Sequence, residues 1–597
     1  MSTSSDDDDI RRAIALSLET NDAPKTLERV RPSGIPGLDR AAMERERLAR
    51  FTKRKASVSP PAVRVKRVAR ANVGDDDNEE IAVLGSKEIV PPGSSAALTE
   101  NPKASAPPYH ASFWHGKVLK TWAFGHARLD DIKLEEVLQK NDLKLAVLSS
   151  FIWDTDWLFR KIDFSSTRVV CVMQAKDEMT KAQIRAESGS FKTLRLCFPS
   201  MEGQINCMHS KMMLLAHPGY LRIVIASGNL IPHDWGETGA MENVVFVIDL
   251  PRLPVPSDKS VMTKFGRELS RFCTALGLDA SIVDSLTQFD FSATKDLAFV
   301  HTIGGAHVEE DLRDSTGFLG LGNALKDLNL ASKQDRHVDF VTSSLGNINE
   351  SFLSTIYHAA QGYPSLSSTA KATRSSNPSS IKMKSRSTLM VSKTQSPNPS
   401  TRSSHFDLSN FRIYFPTHTT VAASKAGTRG AGTICLSSKY YNAATFPRSC
   451  LRDCKSTREG LVMHSKIMYV RRRHSTTSPR EEGSELSSGP ESESDSDKDY
   501  AYVGSANLSE SAWGKVVMDR KLKREKLNCR NWECGVIVPV RGRRGGQTTK
   551  DDKVRKGGST TADDERGLVE VFQGVIPMPM QWPGEAYGDQ EPWFAFD

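Results

Sequence analysis

No stretch of this 597-residue chain stays apolar for the roughly 18 residues that a membrane-crossing helix requires, so no membrane span is expected. The opening MSTSSDDDD lacks the basic residues and the apolar run of a secretory leader. Cysteine is sparse and odd in number, nine in all, which argues against a disulfide framework and for a reducing interior. Cys450 with Cys454, and Cys529 with Cys534, lack the spacings of a common zinc finger, so buried free thiols are expected. Hydrophobic residues reach only 38%, too few for the whole length to be packed. The formal charge of +8 admits a polyanionic partner without selecting one. The length exceeds what one core supports, so two domains with unpacked extensions are expected.

Residues 1–108 are rich in Ser, Pro, Ala and charge and show no sustained apolar period; a disordered tail is expected. Two pieces of it stand out. In DDDDIRRAIALSLE, within residues 6–20, Ile10, Ala13, Ile14 and Ser17 recur at helical spacing behind an acidic run, which suits a helix N-terminus. The pattern resembles a ubiquitin-interacting motif, with Ile10, Ala13 and Ser17 as contact residues; the plain alternative is a solvated amphipathic helix. Over residues 53–70, Lys53, Arg54, Lys55, Arg64, Lys66, Arg67 and Arg70 form a basic cluster of the kind that directs nuclear import or tethers nucleic acid.

Dense apolar patterning begins near Ser112. LKLAVLSSFIW, TRVVCVM, LRLCF, KMMLLA, LRIVIAS and NVVFVID are short β-branched runs, with helical periods near Lys133–Lys140 and Val261–Leu276. The pattern resumes in VDFVTSS, FRIYFP, HSKIMYV, YAYVGS and CGVIVPV, which predicts an α/β fold. The expected division is residues 109–305 and 306–597, the second half carrying insertions at about 364–406, 473–499 and 541–567. The first insertion holds no acid, and the second is acidic and Ser-rich. None can bury a core.

The two halves repeat one another. CMHSKMMLLA, LRIVIASGNL, Trp235 and MENVVFVI are followed in the same order by VMHSKIMYV, YAYVGSANL, Trp513 and WECGVIV. His209 and Lys211 thus match His464 and Lys466, and Asn229 matches Asn507. Glu242 and Glu533 each open a final apolar strand. In an extended chain residues i and i+2 share a side, so each His and its Lys emerge together. Two halves meeting face to face would gather two imidazoles, two ammonium groups and two amides into one cleft. Such a cleft suits a phosphate whose charge redistributes in the transition state. One imidazole can attack while the other gives and takes a proton. The tryptophans read as core.

His-x-Lys followed by Gly504-Ser505-Ala506-Asn507 or Ala226-Ser227-Gly228-Asn229 resembles the phospholipase D superfamily. MMLLA after Lys211 and IMYVR after Lys466 lack the aspartate that ordinary members carry there. That absence, VTSSLG at Val341–Gly346 and the ending PMPMQWPGEAYGDQEPW resemble the tyrosyl-DNA phosphodiesterase branch, from about Tyr109 to the C-terminus apart from the insertions. The resemblance implies two pseudo-symmetric phospholipase D-like α-β-α sandwich domains and chemistry without a cofactor or metal. It implies His209 as nucleophile and His464 as general acid and base. Lys211, Lys466, Asn229 and Asn507 would grip the phosphate, with Glu533 behind a histidine. Glu242 would fill the place where the family often has Gln, and Ser343 and Ser344 would contact DNA phosphates. The implied substrate is single- or double-stranded DNA whose 3′ end carries a topoisomerase I-derived peptide, cleaved in the nucleus by a monomer. Two other readings remain at this point: a lipid- or nuclease-type phosphodiesterase of the same superfamily, and a ubiquitin- and DNA-binding scaffold with an inactive core.

Overall fold

The computed structural model describes residues 112–188, 191–364, 406–472, 498–540 and 568–595. The tail, with its ubiquitin-motif segment and basic cluster, and the bodies of the three insertions lie outside these residues.

Seven strands build the first half: β1 (Lys117–Thr121), β2 (Leu145–Ser149), β3 (Arg168–Val172), β4 (Leu194–Cys197), β5 (Met212–Ala216), β6 (Tyr220–Ala226) and β7 (Val244–Pro251). Seven more build the second: β8 (Ala298–Thr302), β9 (Arg336–Val341), β10 (Phe411–Phe415), β11 (Leu451–Asp453), β12 (Ile467–Arg472), β13 (Asp499–Gly504) and β14 (Asn531–Val540). The first sheet runs β1-β7-β6-β5-β2-β3-β4, and the second runs β8-β14-β13-β12-β9-β10-β11. The order is identical. So are the directions: the two pairings outward from β2 and from β9 are parallel, and all others on the path are antiparallel. Short two-residue strands flank this plan, Asp131–Ile132 beside β1 among them. The repeat seen in the sequence is therefore a repeat of whole sheets, wider than the single βα unit that the motifs alone indicate. The second sheet also begins earlier than the expected boundary at residue 305, because β8 pairs with β14. Asp499, counted in an insertion from sequence, opens β13.

Every residue of β6, β9 and β13 is buried, as strands covered on both faces must be, so the charged Arg222, Arg336, Asp339 and Asp499 within them are enclosed as well. One face of the first sheet packs on its own helices through Leu134, Val137, Trp157 and Leu158. The second sheet does the same through Leu321, Leu325, Leu353 and Ile356. Between the sheets lies a shared core, with Met208, Ile225 and Phe246 from one half and Met463, Val503, Trp532 and Val536 from the other. The helix Lys264–Ala275 adds Phe265, Leu269 and Phe272 to it. Trp235 and Trp513 are fully buried, and all nine cysteines are free and buried, as expected. Gly504 and Gly535 face each other across β13 and β14. A Cβ on Gly535 would come within 2.1 Å of the Tyr502 ring, so that close approach requires glycine.

A buried ion pair ties β6 to β7. Arg222 and Asp249 are opposite in register and both fully enclosed. The guanidinium donates to both carboxylate oxygens at 2.7 and 2.9 Å and to the carbonyls of Glu136 and Val137 at 3.0 Å. The carboxylate also takes the amides of Ser112 and Phe113. With no polar atom of the pair left dry, removing one partner strands the other. Asp249→Ala is expected to destabilise by about 3–5 kcal/mol, and the double change Arg222→Met with Asp249→Leu by much less. Denaturant melts of the three proteins check this; equal losses would mean the pair contributes through packing alone.

Candidate active site

Each His-x-Lys segment lies where the chain leaves one sheet and enters the other. It is an extended bridge rather than part of a strand. Cys207–Met208 pairs in parallel with Asn531–Trp532, the start of β14, and the chain then becomes β5. Reciprocally, Val462–Met463 pairs in parallel with Met241–Glu242, just ahead of β7, and the chain then becomes β12. The His209 amide donates to the Trp532 carbonyl at 3.0 Å, and the His464 amide to the Glu242 carbonyl at 3.1 Å. Each histidine is thus suspended from the opposite half.

This crossing brings the predicted groups together. Lys211 Nζ donates to the His209 carbonyl at 2.8 Å; Lys466 Nζ donates to the His464 carbonyl and reaches the Ser227 carbonyl of the other half at 3.4 Å. The side chains of His209 and His464 are only 12% and 5% exposed. Burial, with Lys211 and Lys466 nearby, lowers His209 to about 4. Burial and Lys466 lower His464 to about 3. Burial lowers Lys211 to about 8, and burial with Lys211 alongside pushes Lys466 well down. Burial is the largest cause of all four shifts, ahead of repulsion between the cations.

One of the two carboxylates expected from the sequence stands behind a histidine and the other does not. Glu533 fulfils its expectation: its Oε2 lies 2.9 Å from His209 Nδ1 and 2.5 Å from the Ser505 hydroxyl, which donates to it. Glu242 does not. Its carboxylate is fully buried against Ser456 and Arg458, where burial raises its pKa, and only its backbone touches His464. The register gives the reason. Ser227 donates to Asn243 as Ser505 donates to Glu533, and Val244 and Cys534 each return an amide to that serine. Asn243, not Glu242, is thus the counterpart of Glu533, and a one-residue slip turns Glu242 to the other face.

The group beside His464 is Asp234, which the sequence reading missed. Its Oδ2 lies 3.2 Å from His464 Nδ1, at an angle too oblique for a straight hydrogen bond. The same oxygen accepts from Asn229 N and Nδ2 at 2.6 and 2.9 Å. Burial works against its charge, but His464 and the Asn229 amide outweigh it and hold Asp234 well below the usual carboxylate range. A signal was present: the residue just before Trp is an acid in the first copy, Asp234, and Ala512 in the second, although the second copy also carries Glu510 two residues earlier.

Asn507 and the two serines also meet. Asn507 Oδ1 accepts from Thr342 Oγ1, from Ser343 N and Oγ, and from Ser344 N, at 3.1–3.3 Å. Its amide nitrogen is left without a partner among the described residues. Ser343 is fully buried and Ser344 is 9% exposed, so both form the cradle of Asn507 before any outside contact. The register places Phe151 opposite Ser343, because Leu230 N bonds Ser150 as Leu508 N bonds Thr342. The Phe151 ring lies 5.4 Å from that of His209. One histidine thus has an aromatic neighbour at the place where the other half carries a serine.

Two imidazoles with carboxylates at Nδ1, two ammonium groups and a free amide can hold and attack a phosphodiester. A family model described as tyrosyl-DNA phosphodiesterase matches residues 117–588, and one described as ubiquitin interaction motif matches residues 5–21. Among solved structures, a mutant of yeast tyrosyl-DNA phosphodiesterase is 17% identical with a TM-score of 0.50, covering 80% of this chain and 100% of that one. A second mutant form of the yeast protein is 18% identical with a TM-score of 0.51, covering 80% and 98%. These likenesses show a common fold, and the family match extends over most of the sequence: the chain belongs to the tyrosyl-DNA phosphodiesterase family of DNA-repair phosphodiesterases, hydrolases of the phospholipase D superfamily.

Proposed function

We propose that this phosphodiesterase hydrolyses the bond between a DNA 3′ phosphate and the tyrosine of a topoisomerase I-derived peptide, in two displacements at phosphorus. The observation that carries the reading is Glu533 at Nδ1 of His209. With Nδ1–H donated to the carboxylate, Nε2 bears the lone pair, and the lowered pKa keeps it unprotonated at neutral pH. Nε2 attacks, the N–P bond forms and the P–O bond to tyrosine breaks. His464 gives its Nε2 proton to the departing phenolate, then takes one from the water that cleaves the N–P bond and frees the 3′ phosphate. In the free protein burial keeps His464 neutral. The substrate phosphate brings a negative charge and favours the protonated form that an acid needs. Lys211, Lys466 and the Asn507 amide serve the non-bridging oxygens. Asn229, bonded to Asp234, holds the carboxylate that faces His464. Ser343 and Ser344, which cradle Asn507, are proposed to contact a neighbouring DNA phosphate.

The tail extends this function. The motif at residues 5–21 is proposed to bind ubiquitin through Ile10, Ala13 and Ser17, and the basic cluster at 53–70 to bring the protein, as a monomer, into the nucleus.

Cleavage of a 3′-phosphotyrosyl oligonucleotide in EDTA tests the chemistry. The wild type should release 3′-phosphate. His464→Ala should slow turnover by about 10²–10⁴-fold, the usual weight of acid–base catalysis, and accumulate a covalent DNA adduct that His209→Ala does not form. No cleavage by folded wild-type protein would overturn the reading. A pH profile gives a second check. Lys211 carries its charge below about 8 and loses it above, and burial pushes Lys466 well below its ordinary value too. The alkaline limb of kcat/KM should therefore lie at or below about pH 8, while that of kcat, with phosphate bound, lies higher; profiles that coincide would refute the lysine assignment. Finally, Ala13→Gln with Ser17→Ala should weaken ubiquitin binding at least about tenfold, by analogy with a hot spot of about 1.4 kcal/mol, and leave cleavage unchanged. Undiminished ubiquitin binding in a titration would remove the motif from the account.

A further inference from the structure

Between Trp513 and Glu533 the second half sends out a hairpin that the chemistry does not use. Its strands, Lys515–Met518 and Glu525–Cys529, are antiparallel, and Gly305–His307 pairs on the far side of the latter. Its root is fastened to the segment that carries the nucleophile. The Arg530 carbonyl accepts the Asn206 amide at 2.6 Å, and Asn528 Nδ2 donates to Gln204 Oε1 at 2.9 Å.

The tip reads Asp519-Arg520-Lys521-Leu522-Lys523-Arg524 and has a fixed shape. Asp519 Oδ1 accepts the amides of Lys521 and Leu522 at 2.9 Å, and its other oxygen takes Lys526 Nζ at 2.9 Å. Backbone bonds join Asp519 N to the Arg524 carbonyl and Lys523 N to the Asp519 carbonyl. The one carboxylate of the tip is thereby used internally. Arg520, Lys521, Lys523 and Arg524 are all exposed, and none has an ion-pair partner among the described residues. Lys523 holds φ 54°, a left-handed conformation that Gly or Asn adopts at less cost. Met518 and Leu522, 53% and 58% exposed, stand among these cations.

Four uncompensated cations on an ordered turn repel one another, and the arrangement makes sense against a polyanion. Arg524, the tip cation nearest in sequence, is eight residues from Trp532, roughly 26 Å of chain at about 3.3 Å per strand residue, so the hairpin carries the tip away from its root beside Asn206. We propose that the hairpin is a second DNA contact, gripping the sugar–phosphate backbone several nucleotides from the 3′ end, with Met518 and Leu522 against sugar faces. The proposal rests on DNA being the substrate, which the family match gives, and is independent of the 3′ group removed.

The test uses the full chain with Arg520→Gln, Lys521→Gln, Lys523→Asn and Arg524→Gln together; asparagine suits the left-handed position. Binding to a long oligonucleotide with an unmodified 3′ hydroxyl, followed by anisotropy over a salt series, should weaken about tenfold at low salt. The slope of log affinity against log salt should fall by about 3, because each of the four cations, if paired with a phosphate, contributes roughly 0.7–0.9. Cleavage of a very short 3′-phosphotyrosyl substrate should keep its kcat/KM. Unchanged affinity and slope on the long strand would overturn the proposal, as would an equal loss on the short substrate, which would place the hairpin's effect in the site itself. Because the binding arm needs no chemistry, a wild type that fails to cleave would sink the reaction assigned above and leave this reading intact.

Discussion

Two reciprocal pieces of parallel pairing govern this molecule. Cys207–Met208 rests on the start of β14, and Val462–Met463 on the residues before β7. Each crossing hands the backbone amide of one histidine to a carbonyl of the other half. Neither half can therefore form its share of the site alone. The shared core of Met208, Phe246, Met463 and Trp532 and the Arg458 reach to Glu242 and Asp131 hold that geometry from outside. The site is rigid because its supports are backbone pairing and packing, not long side chains.

The burial that gives this precision has an electrostatic cost. Two lysines and two histidines sit together with little water, and their pKa values fall accordingly. Among the described residues, the carboxylates of Glu533 and Asp234 oppose that positive charge directly. A phosphodiester entering such a cleft adds a negative charge beside these groups and favours their protonated forms.

The two halves share sheet order, strand direction and the His-Lys-Asn set, yet they differ wherever the histidines need different roles. Glu533 is answered by Asn243, Ala512 by Asp234, and Ser343 by Phe151. His209 has a well-aligned carboxylate that fixes one tautomer and frees Nε2. His464 has a carboxylate 3.2 Å from its Nδ1 at an oblique angle, which fits the proton-carrying role proposed for it. A duplicated scaffold thus carries an unequal pair of imidazoles through a few substitutions at equivalent positions.

The sequence by itself determined the α/β class, the duplication and the His209, Lys211, His464 and Lys466 set. Short β-branched runs and a motif copied in order are local features that survive any detail of packing. It also marked Glu533, whose strand has an unambiguous register. Only the tertiary structure decided that the His-x-Lys segments bridge two sheets, that β8 joins the second half, and that Asp234 rather than Glu242 faces His464. Those outcomes depend on which strand edges pair and in what register, and a shift of one residue reverses the face of every side chain. The chain records which residues exist at that point; pairing between segments hundreds of residues apart chooses which of them look inward.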